Sequence, residues 1–357
     1  MENFKKFLSE QSDEQPYKLV IFHNSHENVR DVGKPTAPDV QLLQKTATEK
    51  LGIKLFNAEY SGCYFSEKNK KLFINSFAFD DDTGKAIIPT EDGKTKYQKP
   101  FEINPKDTLI FTRGLGTPGF TTNRRWVDMV KILEDKGFKT MPSLETWDLC
   151  TSKYYCSELF KNNGLKTPKT IPITYSDDSE RAIKENNFKF PVILKASSGS
   201  QTGVGVVIIE SLRSLHPTVQ MLTLLNKSSD LIIQEYIKID YDVRAIVFRG
   251  EVIAAMKRDV MSGDVRSNVS LGATTKPHEL TELETKDCLK SAELVKGELI
   301  GVDFMPSKNR EKEQPYILEV NSMPGFGGIE RATKNKSVTE EILKTYMNRN
   351  NWRIDND

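Results

Sequence analysis

Residues able to do chemistry gather in two stretches far apart in the chain. The first is Val192 to Val207 (VILKASSGSQTGVGVV), in which an apolar run carries Lys195 at its end. An ammonium delivered by a buried strand is costly unless an anion or a carboxylate meets it. The loop that follows holds Ser198, Gly199, Gly203 and Gly205 among other short residues. Glycines let backbone N–H groups approach a phosphate closely. The loop fits neither the Walker pattern nor GxGxxG, since no Lys-Ser or Lys-Thr pair follows its last glycine, and by itself it reads equally well as a plain hairpin turn. In the second stretch, Glu319 and Asn321 stand two apart in ILEVN, so both project from one face of a strand. Asp303 closes the preceding strand, GVDF, and the two strands can pair across the polar loop Ser307 to Gln314. Two carboxylates and an amide oxygen would then converge, a hard donor set suited to magnesium. The plain alternative is a pair of solvated strand-end charges; an acid embedded in Ile-Leu-Glu-Val argues against it.

Between the two stretches lie Arg244, Lys257, Arg258, Arg266, Ser267 and Asn268. Arginine forks match the paired oxygens of phosphoryl and carboxylate groups. Any one of these side chains reads more simply as a surface residue. It is the sum of lysine, glycine loop, arginines and metal-type acids that favours nucleotide chemistry. Gly114-x-Gly116-x-x-Gly119 formally matches the dinucleotide fingerprint, but Pro118 stiffens the turn and no strand-end acid follows at the required distance. Arg113 and this loop read better as part of a carboxylate or peptide site.

The elements that must position these residues fall into three parts. In the first, to about residue 150, Lys18 to His23 (KLVIFH) reads as a buried strand and Ala37 to Gly52 as a helix. Short apolar pieces between Gly62 and Pro105 read as β-hairpins or an insertion. Thr108–Thr112 reads as a strand, Thr122–Lys136 as an amphipathic helix and Phe138–Met141 as another strand. The second part, 151–238, opens with a helix over Ser152–Asn162 and an extended segment through Pro168 and Pro172. It continues with strands at Pro191–Lys195 and Gly205–Glu210, a helix around Pro217–Leu225 and a strand at Leu231–Ile237. The third, 239–350, has strands at Val243–Phe248, Val252–Lys257, Leu299–Phe304 and Tyr316–Val320. Helices are expected there over Glu282–Gly297 and Val338–Asn348. This is a mixed α/β and α+β order.

Composition narrows the function classes. The 51 basic and 50 acidic residues of this 357-residue chain leave a net charge of +1, which advertises no nucleic-acid partner. No apolar run has the length of a signal peptide or a membrane span, so no membrane partner is expected. Cys63, Cys150, Cys156 and Cys288 lack CxxC spacing and are too few to staple a chain this large, which suits a reducing, cytoplasmic setting.

The ordered set Ser152-Lys153, PVILK with its glycine loop, Gln234-Glu235-Tyr236, Asp242-x-Arg244, Arg266-Ser267-Asn268, Gly301-Val302-Asp303 and Glu319-Val320-Asn321 with Pro324-Gly325 resembles the ATP-grasp superfamily. Within it, GDVRSN (Gly263–Asn268) and EVNSMPGFGGIE (Glu319–Glu330) most resemble the RimK-type α-L-glutamate ligases. The resemblance implies an ATP-grasp fold of two α+β subdomains clasping ATP, preceded by an N-terminal α/β domain. It implies that Lys153 and Lys195 hold the phosphates under a lid formed by Ser198, Gly199, Gly203 and Gly205. Glu235 and Tyr236 would lie in the adenine hinge, with Asp242 near the sugar or the triphosphate. Asp303, Glu319 and Asn321 would hold magnesium, as two ions, with manganese able to substitute. Arg244, Arg266, Ser267 and Asn268 would steady the γ-phosphate and the charge of the tetrahedral intermediate. The implied activity joins an amino acid to a peptide or protein acceptor in a homo-oligomeric enzyme. An ATP-grasp kinase acting on a hydroxyl, a peptide-cyclising ligase and a non-catalytic nucleotide-binding module are the alternatives. The hairpin region 62–105 departs from the compact N-terminal domain of that family and leaves the acceptor open.

Overall fold

The computed structural model describes residues 18–23, 38–77, 100–113, 115, 124–173, 176–197, 206–225, 230–238, 240–259, 275–333 and 337–347. The first part is built on a six-stranded sheet. Strand β1 (Lys18–His23) runs parallel to β2 (Lys54–Ser66) on one side and to β5 (Thr108–Thr112) on the other, and β5 pairs parallel with β6 (Lys139–Met141). Leu19, Val20, Ile21 and Phe22 are all fully buried, as expected of a central strand covered on both faces. The predicted hairpins prove to be an extension of this sheet. β2 is one 13-residue strand that pairs with β1 and then turns back antiparallel into β3 (Lys71–Phe77), edged by the short β4 (Phe101–Ile103). Helix α1 (Pro38–Lys45) packs on one face of the sheet and α2 (Arg124–Asp135) on the other.

Two consecutive helices lead out of this part. The first, α3 (Leu144–Thr151), was not expected from periodicity, because Ser143 caps it locally through the Thr146 N–H and its apolar stripe is weak. The second, α4 (Lys153–Asn162), is the expected helix, capped by Ser152 through the Tyr155 N–H. The central sheet has the order β7 (Thr170–Ile173), β10 (Leu231–Glu235), β8 (Val192–Ala196), β9 (Val207–Ile209), all antiparallel neighbours. Helices α5 (Ser176–Glu185) and α6 (Leu212–Leu225) cover one face. α5 escaped sequence reading because Ala182 and Ile183 are its only apolar residues. α6 begins five residues before the expected start and accommodates Pro217 internally.

The last sheet has the order β13 (Thr275–Pro277), β12 (Glu251–Asp259), β11 (Tyr241–Phe248), β14 (Leu299–Met305), β15 (Tyr316–Asn321). α7 (Glu282–Leu294), α3 and α4 contribute to the core on one face, with Val243, Ala245, Val302 and Val320. The other face carries Ile246, Phe248 and Leu299 into a core shared with α8 (Gly327–Ala332), α9 (Val338–Tyr346) and the first sheet. That core joins the first and last parts, and the Tyr346 hydroxyl donates to the Ile110 carbonyl at 3.2 Å within it. No helix among the described residues is long and apolar enough to cross a membrane.

Candidate active site

The period of two along a strand decides where Lys195 goes. Val192 and Leu194 face α5 and α6 in the central core, so Lys195 projects from the opposite face of β8. The residue is 8% exposed, and burial lowers its pKa to about 8, with the Glu319 carboxylate opposing that shift and Lys153 adding to it. The N-terminus of α4 is tied to the end of β8 by the Lys153 N–H, which donates to the Ser197 carbonyl at 3.0 Å. Lys153 Nζ in turn lies 3.9 Å from Glu319 Oε2. Lys153 of the central unit thus meets a carboxylate of the last sheet, and Lys195 stands near enough to feel the same charge.

On that sheet, antiparallel pairing sets Asp303 directly opposite Glu319 and Gly301 opposite Asn321, as expected from the loop between them. Asp303 is also opposite Arg244, and Arg258 is opposite Asp242. Cross-strand partners share a face, so Asp242, Arg244, Arg258, Asp303, Glu319 and Asn321 all stand on one surface. Arg244 grips Asp303 with both arms of its fork, Nε to Oδ1 and Nη2 to Oδ2, each at 2.6 Å. Arg258, 2% exposed, holds both oxygens of Asp242 at 2.7 and 2.6 Å and reaches Asp303 Oδ2 at 3.0 Å. Burial alone would raise the Asp303 carboxyl, but the Arg244 and Arg258 guanidiniums outweigh it and hold it at about 2. The same carboxylates raise the pKa of Arg258 against the opposing effect of burial.

The oxygen set fits a hard divalent cation. Among the described residues no three His, Cys, Asp or Glu side chains form a metal-binding group; the set expected from sequence combines two carboxylates with the Asn321 amide, whose Nδ2 donates to Glu319 Oε1 at 3.4 Å. Asp303 Oδ1 accepts one arginine bond, which leaves it a lone pair for a monodentate contact.

Glu235 ends β10, and Tyr236 begins the connection to β11 that joins the central sheet to the last one. Glu235 is exposed, and its carboxylate accepts from the Lys169 N–H at 3.3 Å. Ser198, Gly199, Gly203 and Gly205 of the glycine loop, and Arg266, Ser267 and Asn268, lie outside the described residues, as do Gly114, Gly116 and Gly119. Arg258 is the residue that sequence reading undervalued. A single arginine beside Lys257 reads as a surface cation, although its place in the apolar strand VIAAMKRD, opposite an aspartate, was a usable signal.

Three sheets in this order, with Lys153 and Lys195 of the second part set against Glu319 of the third, make an ATP-grasp fold, which solved structures share. The ATP-grasp ligase PsnB complexed with minimal precursor superposes with a TM-score of 0.62 at 16% identity, covering 93% of this chain and 98% of that one, and PsnB complexed with precursor peptide PsnA2 superposes with a TM-score of 0.60 at 17% identity, covering 94% and 98%. The RimK-like ATP-grasp domain matches residues 150–345, and the chain belongs to that family. A "Probable alpha-L-glutamate ligase" of Marinomonas sp. (strain MWYL1) is 35% identical over 189 residues, 52% of this chain and 60% of the relative. The "Coenzyme gamma-F420-2:alpha-L-glutamate ligase" of Methanocaldococcus jannaschii is 29% identical over 222 residues, 60% of this chain and 73% of the relative. The chain therefore spans well under the full length of these curated relatives.

Proposed function

We propose that this chain is an ATP-dependent carbon–nitrogen ligase that activates a carboxylate as an acyl phosphate and transfers it to an amine, adding glutamate or another amino acid to a peptide or protein. The observation that carries the reading is the meeting of Lys153 and Lys195 with Glu319, next to Asp303. A lone buried lysine beside a carboxylate could be structural, but a lysine pair against an oxygen set on the facing sheet matches the charge pattern of a metal-bound triphosphate. The names of the glutamate ligase relatives and of PsnB complexed with precursor peptide PsnA2 support an amino acid and a peptide as substrates.

In this reading the domains divide at about 1–150, 151–238 and 239–350. Lys153 and Lys195 bind phosphate oxygens; Lys195 regains full protonation when it does so, since an anion reverses the cost of burial. Glu235 and Tyr236 sit at the inter-sheet connection where adenine would lie. Asp303, Glu319 and Asn321 hold magnesium, which when bound supplies charge neutralisation of the transferring phosphoryl group. Arg244 is placed by Asp303 to reach phosphate or carboxylate oxygens. Asp242, with both oxygens engaged by Arg258, supports that arginine rather than touching the sugar. Ser198, Gly199, Gly203 and Gly205 act as a lid that excludes water from the acyl phosphate, and Arg266, Ser267 and Asn268 contribute to the oxyanion site.

The test is a screen of the twenty amino acids with candidate peptides, scored by ADP release and product mass. A ligase gives ADP only when carboxylate and amine are both present, and a peptide heavier by one amino acid residue. Phosphorylated product from a hydroxyl compound would replace this reading with a kinase. A peptide lighter by one water would replace it with a cyclising ligase. Tight ATP binding without turnover in any mixture would leave a binding module.

A further inference from the structure

Immediately after the strand that carries Glu319 and Asn321, the chain turns through Ser322, Met323, Pro324, Gly325 and Phe326. Every side of this short turn is held by a different part of the protein. Met323 packs into the core on the α2 face of the first sheet, and Phe326 is fully buried in the core on the other face. Ser322 stands beside Cys150 near the end of α3 and lowers its thiol against the larger, raising effect of burial. Pro324 lies so close over β14 that a Cβ at Gly301 would stand 2.9 Å from its own Cβ, which explains the glycine two residues before Asp303.

Arg113, at the end of β5, closes the arrangement. Its backbone N–H donates to the Phe22 carbonyl at 2.9 Å, and the Tyr60 hydroxyl donates to its own carbonyl at 2.9 Å, so β1 and β2 fix its backbone. Its side chain leaves the first sheet for the turn. The guanidinium lies 5.1 Å from the Phe326 ring centroid and donates to the Pro324 carbonyl at 3.4 Å, with the residue only 8% exposed. A cation over an aromatic face gains most where water is excluded.

We propose that Arg113 is a positioning residue for the metal-holding strand: by clamping the Ser322–Phe326 turn to the first sheet, it fixes where Glu319 and Asn321 stand. This rests on the assignment of Glu319 and Asn321 as metal ligands made above. It gives Arg113 a different role from the substrate-carboxylate contact expected from sequence. Supporting residues one step behind metal ligands typically change metal affinity by about 10–100-fold when removed.

The test uses the full chain, Mn2+ as a paramagnetic probe and a non-hydrolysable ATP analogue, with Mn2+ binding read by electron paramagnetic resonance. Arg113→Met is expected to weaken analogue-dependent Mn2+ binding by about tenfold, while analogue binding measured in EDTA stays within about twofold. Arg113→Lys, which keeps the charge over the ring, restores part of the loss. Phe326→Leu keeps apolar bulk, removes the ring and stands in if Arg113→Met does not fold; it is expected to weaken Mn2+ binding by about threefold, and less than additively with Arg113→Lys. Unchanged Mn2+ binding in Arg113→Met, with a raised half-saturating peptide or amino acid concentration, overturns the proposal and makes Arg113 a substrate residue. Strict additivity with Phe326→Leu also overturns it. Glu319→Gln separates the two readings. If that variant loses Mn2+ while Arg113→Met keeps it, only the positioning role falls; if Glu319→Gln keeps Mn2+, the metal assignment falls and takes this proposal with it.

Discussion

The last sheet and its flanking helix carry two buried ion-pair networks that look alike one residue at a time. In one, Asp303 and Asp242 are gripped by Arg244 and Arg258; in the other, Glu284 at the start of α7 is gripped by Arg310 at 2.8 Å from each carboxylate oxygen. Both Asp303 and Glu284 sit at about 2, held there by guanidiniums against the opposing effect of burial. A depressed carboxyl therefore does not mark a site. The difference lies in what stands next to each network. Around Glu284 the remaining partners are the Thr281 N–H at 3.1 Å, which completes a helix capping box, and His278 at 3.6 Å. The Arg310 fork also ties the loop after β14 to the helix through the Glu279 carbonyl. That network closes on itself. Around Asp303 stand Glu319, Asn321 and two lysines from another unit, a set with more charge than its internal bonds use.

The contrast can be broken most directly at the open network. Asp303→Asn combined with Glu319→Gln should lower magnesium-dependent ADP release by roughly a thousandfold or more, with the circular dichroism spectrum retained. Lys195→Ala should weaken nucleotide binding in equilibrium dialysis and leave turnover down by about a hundredfold or more. Normal turnover in Lys195→Ala removes the phosphate site from this cleft.

Arg258→Met asks how far the open network is also structural. It leaves Asp242 without its bidentate partner in a buried place, so urea unfolding should show a loss of about 3–5 kcal/mol. A loss below about 1 kcal/mol would mean that water reaches the pair and that the burial argument is wrong.

The closed network is sharpened by pH. The Glu284 carboxyl is lower in the folded protein, about 2 against its usual 4.5, so its stabilisation is fully present above pH 4.5 and is lost as pH falls toward 2. Glu284→Gln should remove on the order of 2 kcal/mol at pH 7 and flatten the stability profile between pH 5 and 3, measured by urea unfolding, while turnover changes little. A Glu284→Gln variant with lost turnover and unchanged stability would erase the distinction between the networks.

Much of the fold was legible because strands buried on both faces are continuous apolar runs: KLVIFH and TLIFT became the strands they read as, and PVILK and LIGVDF did so to within one residue at either end. Short helices without a clear apolar stripe were not legible. α3 is capped by Ser143 and split between two cores, and α5 reaches the central core only through Ala182 and Ile183, contacts that only tertiary packing creates. The candidate site divides the same way. Strand period and donor chemistry, both local, singled out Lys195, Asp303, Glu319 and Asn321 as candidates before any packing was known.

Which of the arginines is buried was a different matter. Arg258, beside Lys257 in the chain, is separated from it by the alternation of the strand: it turns into the protein toward Asp242 and Asp303, while Lys257 reaches Asp259 and the Tyr241 ring. The sequence alone determined the chemical inventory and the order in which the chain presents it, because propensity and periodicity are properties of neighbouring residues. Only the tertiary structure decided which charges meet. Strand register and the packing of the first sheet against the turn after β15 place Lys153 against Glu319 and Arg113 against Phe326, contacts between residues more than 150 positions apart that no local rule encodes.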